Sequence, residues 1–309
     1  MNVKDTDSFH EMPDLGRLGA DVRRLALPRH PRTSPEALRA AEEHIALELG
    51  AAGLRVERQL FAWRGAEYHN VLGTLDGSDP GRPWVVVGAH FDSVAGSPGA
   101  DDNASGVAAM LEVARLLRRE RLAATVQFVG FNLEEIQNPL GEFRFGGGVH
   151  AIGTCRIGSR AYARSLRSSG QALAGALVLE MLGFTGPHQV VPAAVRLVKK
   201  MPKVGDFLAA VGDGGSGALL AAFARAAEGI VPVETLTVPL KGWLVPDTRR
   251  SDNARFWDEG YPALMVTDTA DLRNPHYHRA SDTPDTLDYA FLGKATAAVC
   301  AAVRELAGR

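Results

Sequence analysis

The chain has 309 residues, of which 46% are hydrophobic, and its 34 lysines and arginines nearly balance 36 aspartates and glutamates, giving a formal net charge of −2. Such a chain can bury a sizeable core, and its mixed charges offer no basic surface for nucleic acid or an anionic membrane. Two cysteines make no disulfide framework, and the polar amino terminus and the lack of an apolar run near 20 residues predict no secretory signal, no membrane span and a cytoplasmic location.

The first part of the chain predicts two helices followed by strands. Residues 1–16 are expected to fray, and the first helix begins before Arg24. Ser34 is expected to cap the second helix, with Pro35 at its first position and helical periodicity over 37–49. Strands follow at 54–61, 69–75 and 84–90. The last contains three consecutive valines, which is typical of a strand buried on both faces.

From residue 84 onward, predicted strands and helices alternate. Further strands are expected at 124–131, 174–181, 207–211, 234–238 and 262–267, and helices at 104–119, 159–168, 216–228 and 287–306. This alternation predicts an α/β fold with three α/β/α layers around a mixed, mostly parallel sheet. No repeat or linker divides the chain, so we expect a single domain over 1–309. Residues 136–157, with glycines at 146–148, are expected to form a loop.

Ionisable residues follow four of the predicted strands, where ligands bind in an open α/β sheet. These residues, with two aspartates from the loop after the first of the four strands, are His90, Asp92, Asp101, Asp102, Glu134, Glu135, Glu180, His276 and His278. So many carboxylates in one crevice would repel one another unless they were protonated or bound to cations. Two imidazoles with several carboxylates suit zinc or a similar divalent metal, and the pattern predicts metal-assisted hydrolysis.

Simpler interpretations exist for several of these residues. Glu134 and Glu135 would point to opposite faces of a continuing strand, so that one binds metal and the other meets water, or they could be a solvated strand end. Cys155 near His150 suggests a thiol nucleophile, but nothing in the sequence places an orienting base there. The glycine-rich stretch at 212–217 lacks the lysine of a phosphate-binding loop.

Five motifs, in order, resemble the M28 family of zinc peptidases, whose typical members are aminopeptidases. They are GAHFDS, GADDNASG, NLEE, LEMLGF and NPHYHRASDT, and the similarity extends from about residue 30 to the end of the chain. The resemblance implies the three-layer fold of the zinc peptidases, two zinc ions per chain and peptide substrates. Cobalt or manganese could replace zinc at such ligands.

The resemblance also implies a ligand set for the two zinc ions. His90 and Glu180 would bind one ion, and Glu135 and His278 would bind the other. Asp102 would bridge the two, because it stands four residues before a glycine in the family's Asp-x-x-Ser-Gly pattern. On this interpretation Asp101 is a loop or helix-start carboxylate, and His276 is a pocket residue or has no role.

The catalytic roles follow from the same resemblance. Glu134 would be the general base that takes a proton from the attacking water and passes it to the leaving amine. Asp92 would orient His90, and Tyr277 would donate a hydrogen bond to the developing oxyanion. Arg250 or Asp252 would contribute to the pocket.

Three features depart from the family pattern. Glu180 stands where many members have Asp, in an LEM-G form that is familiar in a bacterial branch. Asn253 stands in RSDN where RSDH is commoner, which leaves its supporting role open. The segment 136–157 is long and rich in glycine for the family, and we hypothesise that it forms a mobile flap over the substrate.

Two rival functions accompany the aminopeptidase interpretation. The same fold supports carboxypeptidases and glutaminyl cyclases, but the cyclases use one zinc ion and the full set of five ligand candidates argues against them. A catalytically silent metal-binding protein is the other rival, and the presence of Glu134 with all five ligands argues against it. The sequence predicts neither the side-chain preference nor the oligomeric state.

Overall fold

The computed structural model describes residues 12–136, 142–145, 148–151 and 156–308 of the chain. The helices are α1 (Leu15–Leu25), α2 (Pro35–Ala51), α3 (Gly106–Leu117), α4 (Ile157–Ser169), α5 (Ala193–Val198), α6 (Gly217–Ala226), α7 (Asn253–Asp258) and α8 (Tyr289–Ala307). The strands are β1 (Arg55–Trp63), β2 (Ala66–Leu75), β3 (Trp84–His90), β4 (Val126–Phe131), β5 (Glu142–Phe145), β6 (Gly148–Ala151), β7 (Leu173–Glu180), β8 (Leu208–Asp213), β9 (Val233–Val238) and β10 (Ala263–Thr267).

A mixed sheet of eight strands, in the order β1-β2-β4-β3-β7-β10-β8-β9, forms the middle of the molecule. At its centre, the strands β4, β3, β7 and β10 run parallel to one another. Strand β2 is antiparallel to β4, and β8 is antiparallel to β10. The predicted α/β fold is therefore confirmed, and the carboxyl ends of the four central strands meet at one edge of the sheet.

The central strand β3 is buried on both faces because helices cover both sides of the sheet. Val85 and Val87 belong to the larger core, which also contains residues of α1, α2, α3, α6 and α8. Val86 faces the other way and packs in a second core with Tyr162 of α4 and Phe256 of α7. The run of three valines thus fills two different hydrophobic layers, which confirms its expected burial.

The structure corrects several local predictions. The helix α1 begins at Leu15, inside the segment expected to fray, because the Asp14 carboxylate accepts hydrogen bonds from the amides of residues 16 and 17. Ser34 occupies the position before α2 and Pro35 is its first residue, but the Ser34 side chain makes no capping hydrogen bond within the described chain. The short helices α5 and α7 were not predicted, since six residues carry too little periodicity to recognise.

The segment expected to be a loop, 136–157, contains the antiparallel pair β5 and β6. The expectation of an unstructured loop is therefore wrong for those eight residues, whose alternation is too short to stand out in the sequence. The helix α4 also begins within it, at residue 157. The remaining parts at 137–141, 146–147 and 152–155, which include Cys155, lie outside the described residues. Part of the proposed flap falls on these parts. The expected fraying of residues 1–11 lies outside the described residues too.

A buried polar network joins the helices α1, α2 and α3 on one face of the sheet. The Asp21 carboxylate lies 3.0 Å from His44 Nε2 and accepts a hydrogen bond of 2.7 Å from Arg115 Nη1. Glu112, whose side chain is fully buried, accepts hydrogen bonds from the Arg17 guanidinium. Burial opposes the charge of Asp21, but the bonds from His44 and Arg115 outweigh it and lower the pKa of Asp21 below 3.8.

Asp21→Asn should therefore lower the free energy of unfolding by about 2 kcal/mol at pH 7, because it removes one partner of a buried ion pair. The stabilisation from Asp21 is present above its unfolded pKa of 3.8 and is lost as the pH falls through its lower folded pKa. Urea denaturation of variant and wild type between pH 7 and pH 3 should show this difference shrink only at the acid end.

Asp76→Asn is the matched control, because Asp76 is 70% exposed and forms only a surface pair with Arg55. It should change the free energy of unfolding by less than about 0.5 kcal/mol. Equal losses in the two variants would mean that the network around Asp21 contributes no more than a surface charge.

Candidate metal centre

The ends of the parallel strands bring the predicted ligands to one place. His90 is the last residue of β3 and Glu180 is the last residue of β7. Glu134 and Glu135 lie in the turn that follows β4, and Asp102 lies in the turn Ala100–Ser105, where its own backbone is not helical. His278 comes from the loop after β10, the fourth strand of the parallel group.

The Asp102 carboxylate lies between two histidines, His90 and His278. Its Oδ1 is 3.3 Å from His90 Nε2, which is also 3.5 Å from Glu180 Oε2. Its Oδ2 is 3.2 Å from His278 Nε2, which is also 3.0 Å from Glu135 Oε1. Each oxygen of Asp102 thus faces a different imidazole, and each imidazole has a second carboxylate beside it. His276 is placed elsewhere, with its Nδ1 3.0 Å from the Ser281 hydroxyl.

The buried charges of this cluster are compensated by protons or by a cation. Asp102 Oδ1 and Glu134 Oε1 are buried and have no hydrogen-bond partner among the described residues. Burial opposes the charge of His278, but Glu135 and Asp102 outweigh it and raise the pKa of His278 to about 11. Burial and the charge of Asp102 raise the pKa of Glu135 to about 7. This excess of carboxylate oxygen, next to imidazole nitrogens, fits a divalent metal such as zinc.

The spacing of donor atoms agrees with a metal site. His90, Asp102 and Glu135 each offer one ligand atom, and these atoms all lie within 4.8 Å of one another. Two histidine nitrogens with carboxylate oxygens are the ligands that zinc takes in proteins. The peptide bond between Asp102 and Asn103 is cis. The Asn103 side chain holds this turn against β7, since its Nδ2 donates to the Leu179 carbonyl over 2.8 Å.

Asp92 fixes the turn that carries both glutamates. Its side chain is fully buried, and its two oxygens accept hydrogen bonds of 2.9 Å from the backbone amides of Glu134 and Glu135. The carboxylate also lies 3.6 Å from His90 Nδ1, and the Asp92 carbonyl lies 3.2 Å from the same nitrogen. Asp92 therefore contacts the histidine that it was predicted to orient, and in addition holds the backbone of the glutamate pair.

A second buried aspartate, which sequence reasoning missed, holds the turn that carries Asp102. The two oxygens of Asp282 accept hydrogen bonds from the amides of Asp101 and Asp102, at 2.9 and 3.1 Å. Asp101 itself is occupied elsewhere, because its carboxylate accepts hydrogen bonds from the Gly183 amide and from Asn274 Nδ2. Asp282 lies within the motif NPHYHRASDT, but the motif does not predict which backbone amides the Asp282 carboxylate would bind.

The side chains of the motif RSDN contact Glu180, Tyr277 and the loop that carries the motif. Ser251 Oγ donates a hydrogen bond of 2.5 Å to Glu180 Oε2, and Arg250 Nη2 donates one of 3.0 Å to the Tyr277 oxygen. Asn253 Nδ2 donates to the Thr248 carbonyl over 3.0 Å, so this buried residue holds the loop together. Burial raises the pKa of Asp252, which is fully buried, to about 6.

Tyr277 is held firmly beside the centre. Its ring stacks on His278 with the centroids 3.7 Å apart, and the Arg250 guanidinium lies over it at 5.4 Å. Arg250 is fixed in turn by Asp271, whose Oδ1 accepts a hydrogen bond of 2.9 Å from its Nη1. A phenol fixed in this way can donate a hydrogen bond toward the centre with little loss of side-chain freedom.

A buried arginine, also missed from the sequence, supports the loop before Asp102. The Arg29 side chain is almost fully buried, and its guanidinium donates hydrogen bonds to the carbonyls of Leu25, Leu27, Phe91, Pro98 and Gly99. Burial lowers the pKa of Arg29 to about 10, so that it stays charged at neutral pH. It joins the end of β3 to the loop that carries the bridging carboxylate.

A cavity of about 560 Å³ opens beside the centre. Glu134, Glu135, Glu180, Tyr277 and His278 line its polar end. Its remaining wall is largely apolar and includes Val190, Val195, Met201, Val211, Leu236 and Met265. A space of this size and composition can hold the apolar part of a small ligand beside the ionisable cluster. None of the described helices has the length and apolar composition that crossing a membrane requires.

Known proteins share both sequence and fold with this chain. The model of peptidase family M28 matches residues 70–303. An uncharacterized protein of Escherichia coli (strain K12), YfbL, is 30% identical over 303 residues, which cover 94% of this chain and 87% of that protein. A probable leucine aminopeptidase 1 of Trichophyton verrucosum is 30% identical over 257 residues, covering 77% of this chain and 58% of that protein.

Solved structures give the same architecture. The crystal structure of Fimbriiglobus ruber glutaminyl cyclase has a TM-score of 0.71 with 18% identity, and 99% of each chain is covered. At that identity the similarity shows the fold alone. The family match covers most of this chain, and the chain belongs to peptidase family M28.

Asp92→Asn should lower the affinity for zinc by about 10- to 100-fold, the usual effect of losing a residue that orients metal ligands. An amide can accept at only one of the two positions where Asp92 now accepts amides, so the backbone of Glu134 and Glu135 would shift. Titration of the metal-free protein with zinc against a competing chelator measures this affinity. Asp285→Asn, an exposed carboxylate, is the control, and equal affinities in the two variants would remove the supporting role of Asp92.

Proposed function

We propose that this member of peptidase family M28 is a zinc-dependent aminopeptidase that holds two zinc ions. The observation that carries the proposal is the position of Asp102, whose two oxygens face two different imidazoles at 3.3 and 3.2 Å. A carboxylate in that position can bridge two metal ions. His90 and Glu180 would complete one site, and Glu135 and His278 would complete the other.

The metal ions, when bound, would polarise the substrate carbonyl and make water a better nucleophile at neutral pH. The chain supplies the remaining parts of hydrolysis. Glu134 is buried at the edge of the cavity, and Asp92 holds its backbone amide. It is free of hydrogen bonds at Oε1 within the described chain, so that this oxygen can take a proton from the attacking water and give it to the leaving amine.

Tyr277 would stabilise the charge that develops on the carbonyl oxygen. Its phenol is fixed by the hydrogen bond from Arg250 and by stacking on His278. A donor that is already in place needs no reorganisation when the charge develops, which is the basis of this kind of stabilisation. The apolar wall of the cavity would receive the side chain of the substrate's first residue and exclude water around it.

The preference for an amino-terminal residue is supported by the curated relative that is named a leucine aminopeptidase. The glutaminyl cyclase that shares the fold makes cyclisation the second candidate. Cyclisation needs no attacking water. The Glu134 Oε1 atom has no hydrogen bond among the described residues and is suited to accept a proton from a water molecule. We therefore place hydrolysis first.

Hydrolysis of a short peptide with a free amino terminus, compared with its acetylated form, tests the proposal directly. We expect cleavage of the free peptide alone, in the presence of zinc, and loss of cleavage after chelation. Both peptides should be followed by mass spectrometry, which distinguishes loss of the first residue from loss of the last. Cleavage of the acetylated peptide, or removal of its carboxyl-terminal residue, would contradict an aminopeptidase and leave a peptidase of another specificity.

Glu134→Gln should keep two zinc ions per chain and lower kcat by about 10²- to 10⁴-fold, the usual contribution of a general base. Asp102→Ala should instead bind less zinc, because it removes the carboxylate that both sites would share. Metal analysis and steady-state kinetics on the same preparations separate the two effects. Glu57→Gln, at a side chain that is 53% exposed, is the control. Near-wild-type kcat in Glu134→Gln would exclude Glu134 as the base.

A further inference from the structure

Four arginines line the cavity beside the metal centre: Arg156, Arg249, Arg250 and Arg255. Three of them have carboxylate partners away from the centre. Arg249 Nη2 lies 2.6 Å from Asp258 Oδ1, Arg255 Nη1 lies 3.1 Å from Asp258 Oδ2, and Arg250 is paired with Asp271. Within the described chain, the carboxylate contact of Arg156 is with Glu134, the proposed general base.

The Arg156 side chain lies beside the proposed base, and part of its donor capacity meets no acceptor among the described residues. Its Nη1 lies 3.6 Å from Glu134 Oε1 and donates a hydrogen bond of 3.0 Å to the Arg250 carbonyl. Its Nε is buried and meets no acceptor among the described residues. A guanidinium carries five N–H donors in a planar fork, so donors remain for a further acceptor.

The backbone keeps this arginine close to the base. The amide of Arg156 donates to the Glu134 carbonyl, and the next two amides, of Ile157 and Gly158, donate to the carbonyls of Leu133 and Asn132, at 3.2, 3.0 and 3.0 Å. The start of α4 is thus tied, residue by residue, to the turn that carries the base. The main chain therefore fixes the backbone of Arg156 beside Glu134, and the hydrogen bond from Nη1 to the Arg250 carbonyl holds the guanidinium.

The chemistry of the leaving group predicts what that guanidinium would meet. A general base that passes its proton to the leaving amine must lie within hydrogen-bond reach of that nitrogen, at about 3 Å. In an amino acid, the carboxylate oxygens lie only about 3 Å from the nitrogen of the same residue. A leaving residue with a free carboxylate would therefore bring this group next to the cation beside Glu134. In a longer peptide, a neutral amide would occupy the same place.

We propose that Arg156 binds the free α-carboxylate of the residue that leaves, so that the enzyme prefers dipeptides to longer or amidated peptides. This inference rests on the proposed aminopeptidase function and names its substrate class. A planar guanidinium can form two parallel hydrogen bonds with a carboxylate, which an amide cannot accept in the same way.

The charges around Arg156 agree with an anionic ligand. Burial lowers the pKa of Arg255 and the positive charge of Arg156 lowers it further, whereas Asp258 raises it. Arg156 and Arg255, which both line the cavity, therefore repel each other even though Asp258 pairs with Arg255. A substrate carboxylate placed there would reduce that repulsion, whereas a neutral amide would leave it unchanged.

The first experiment compares kcat/KM for Leu-Ala and for Leu-Ala-amide in the zinc-loaded enzyme. We expect the wild type to prefer the free acid by about 10- to 100-fold, the range for a hydrogen-bonded charged pair. In Arg156→Gln this ratio should fall toward one, and in Arg156→Lys it should take an intermediate value, since lysine keeps the charge but not the fork. Arg164→Gln, at a side chain that is 61% exposed in α4, should keep the wild-type ratio.

Binding gives a second readout that does not depend on turnover. Leu-Ala analogues with a reduced CH₂–NH bond, one with a free carboxylate and one as the amide, would be titrated calorimetrically into the wild type and Arg156→Gln, after metal analysis has shown equal zinc content. The wild type should bind the acid more tightly, and the variant should lose that difference.

Three results would be distinguishable. A wild-type ratio near one would overturn the inference while leaving the aminopeptidase proposal intact. An equal loss of activity toward the acid and the amide in Arg156→Gln, with an unchanged binding preference, would overturn it too and make Arg156 a positioning residue for Glu134. No cleavage of either substrate by a fully zinc-loaded enzyme would instead count against the proposed function itself.

Discussion

The main physical constraint on this structure is that many carboxylates are buried close together in one small volume. The fully or almost fully buried acids around the centre are Asp92, Asp101, Asp102, Glu134, Glu135, Asp252, Asp268 and Asp282. Carboxylates at such density repel one another and lose hydration, so each must find a donor, a proton or a cation. Asp92 and Asp282 use backbone amides. Burial and the charge of Asp101 raise the pKa of Asp268 well above its usual range.

Four acids remain to which the described backbone donates no side-chain hydrogen bond, namely Asp102, Glu135, Asp252 and the proposed base Glu134. Asp102 and Glu135 lie against histidines, and Asp102 and Glu134 each keep an oxygen without a hydrogen bond inside the described chain. Asp92, Asp101, Asp268 and Asp282 are thus satisfied by backbone amides, and the proposed ligands and base are left for metal, water and substrate. This division follows from where amide donors are available at the strand ends, and it separates residues that hold the site from those that act in it.

The sequence predicted the convergence of ligands because carboxyl ends of parallel strands meet at one edge, and β3, β4, β7 and β10 are such strands. It did not predict that β8 runs antiparallel to β10, since a short apolar strand reads the same in either direction. It also missed Arg29, Arg156 and Asp282. Each of these acts on main-chain groups far away in the sequence, such as the Arg29 contact with the Gly99 carbonyl, and no local spacing encodes such contacts. The proposed flap and the single domain stay predictions.

Two of the three departures from the family pattern are connected through one loop. Glu180 replaces a shorter aspartate, and a longer side chain has more rotamers to lose when it binds a metal. The Ser251 hydroxyl reduces that freedom by donating a hydrogen bond of 2.5 Å to Glu180 Oε2. Asn253, which stands where histidine is commoner, uses its amide to hold the Thr248 carbonyl within the same loop. The loop that presents Ser251 is thus fixed by Asn253, and a histidine there would offer an imidazole in place of that amide donor. The loop that carries Ser251 thus links the two departures, because Asn253 holds its backbone and Ser251 holds the Glu180 carboxylate.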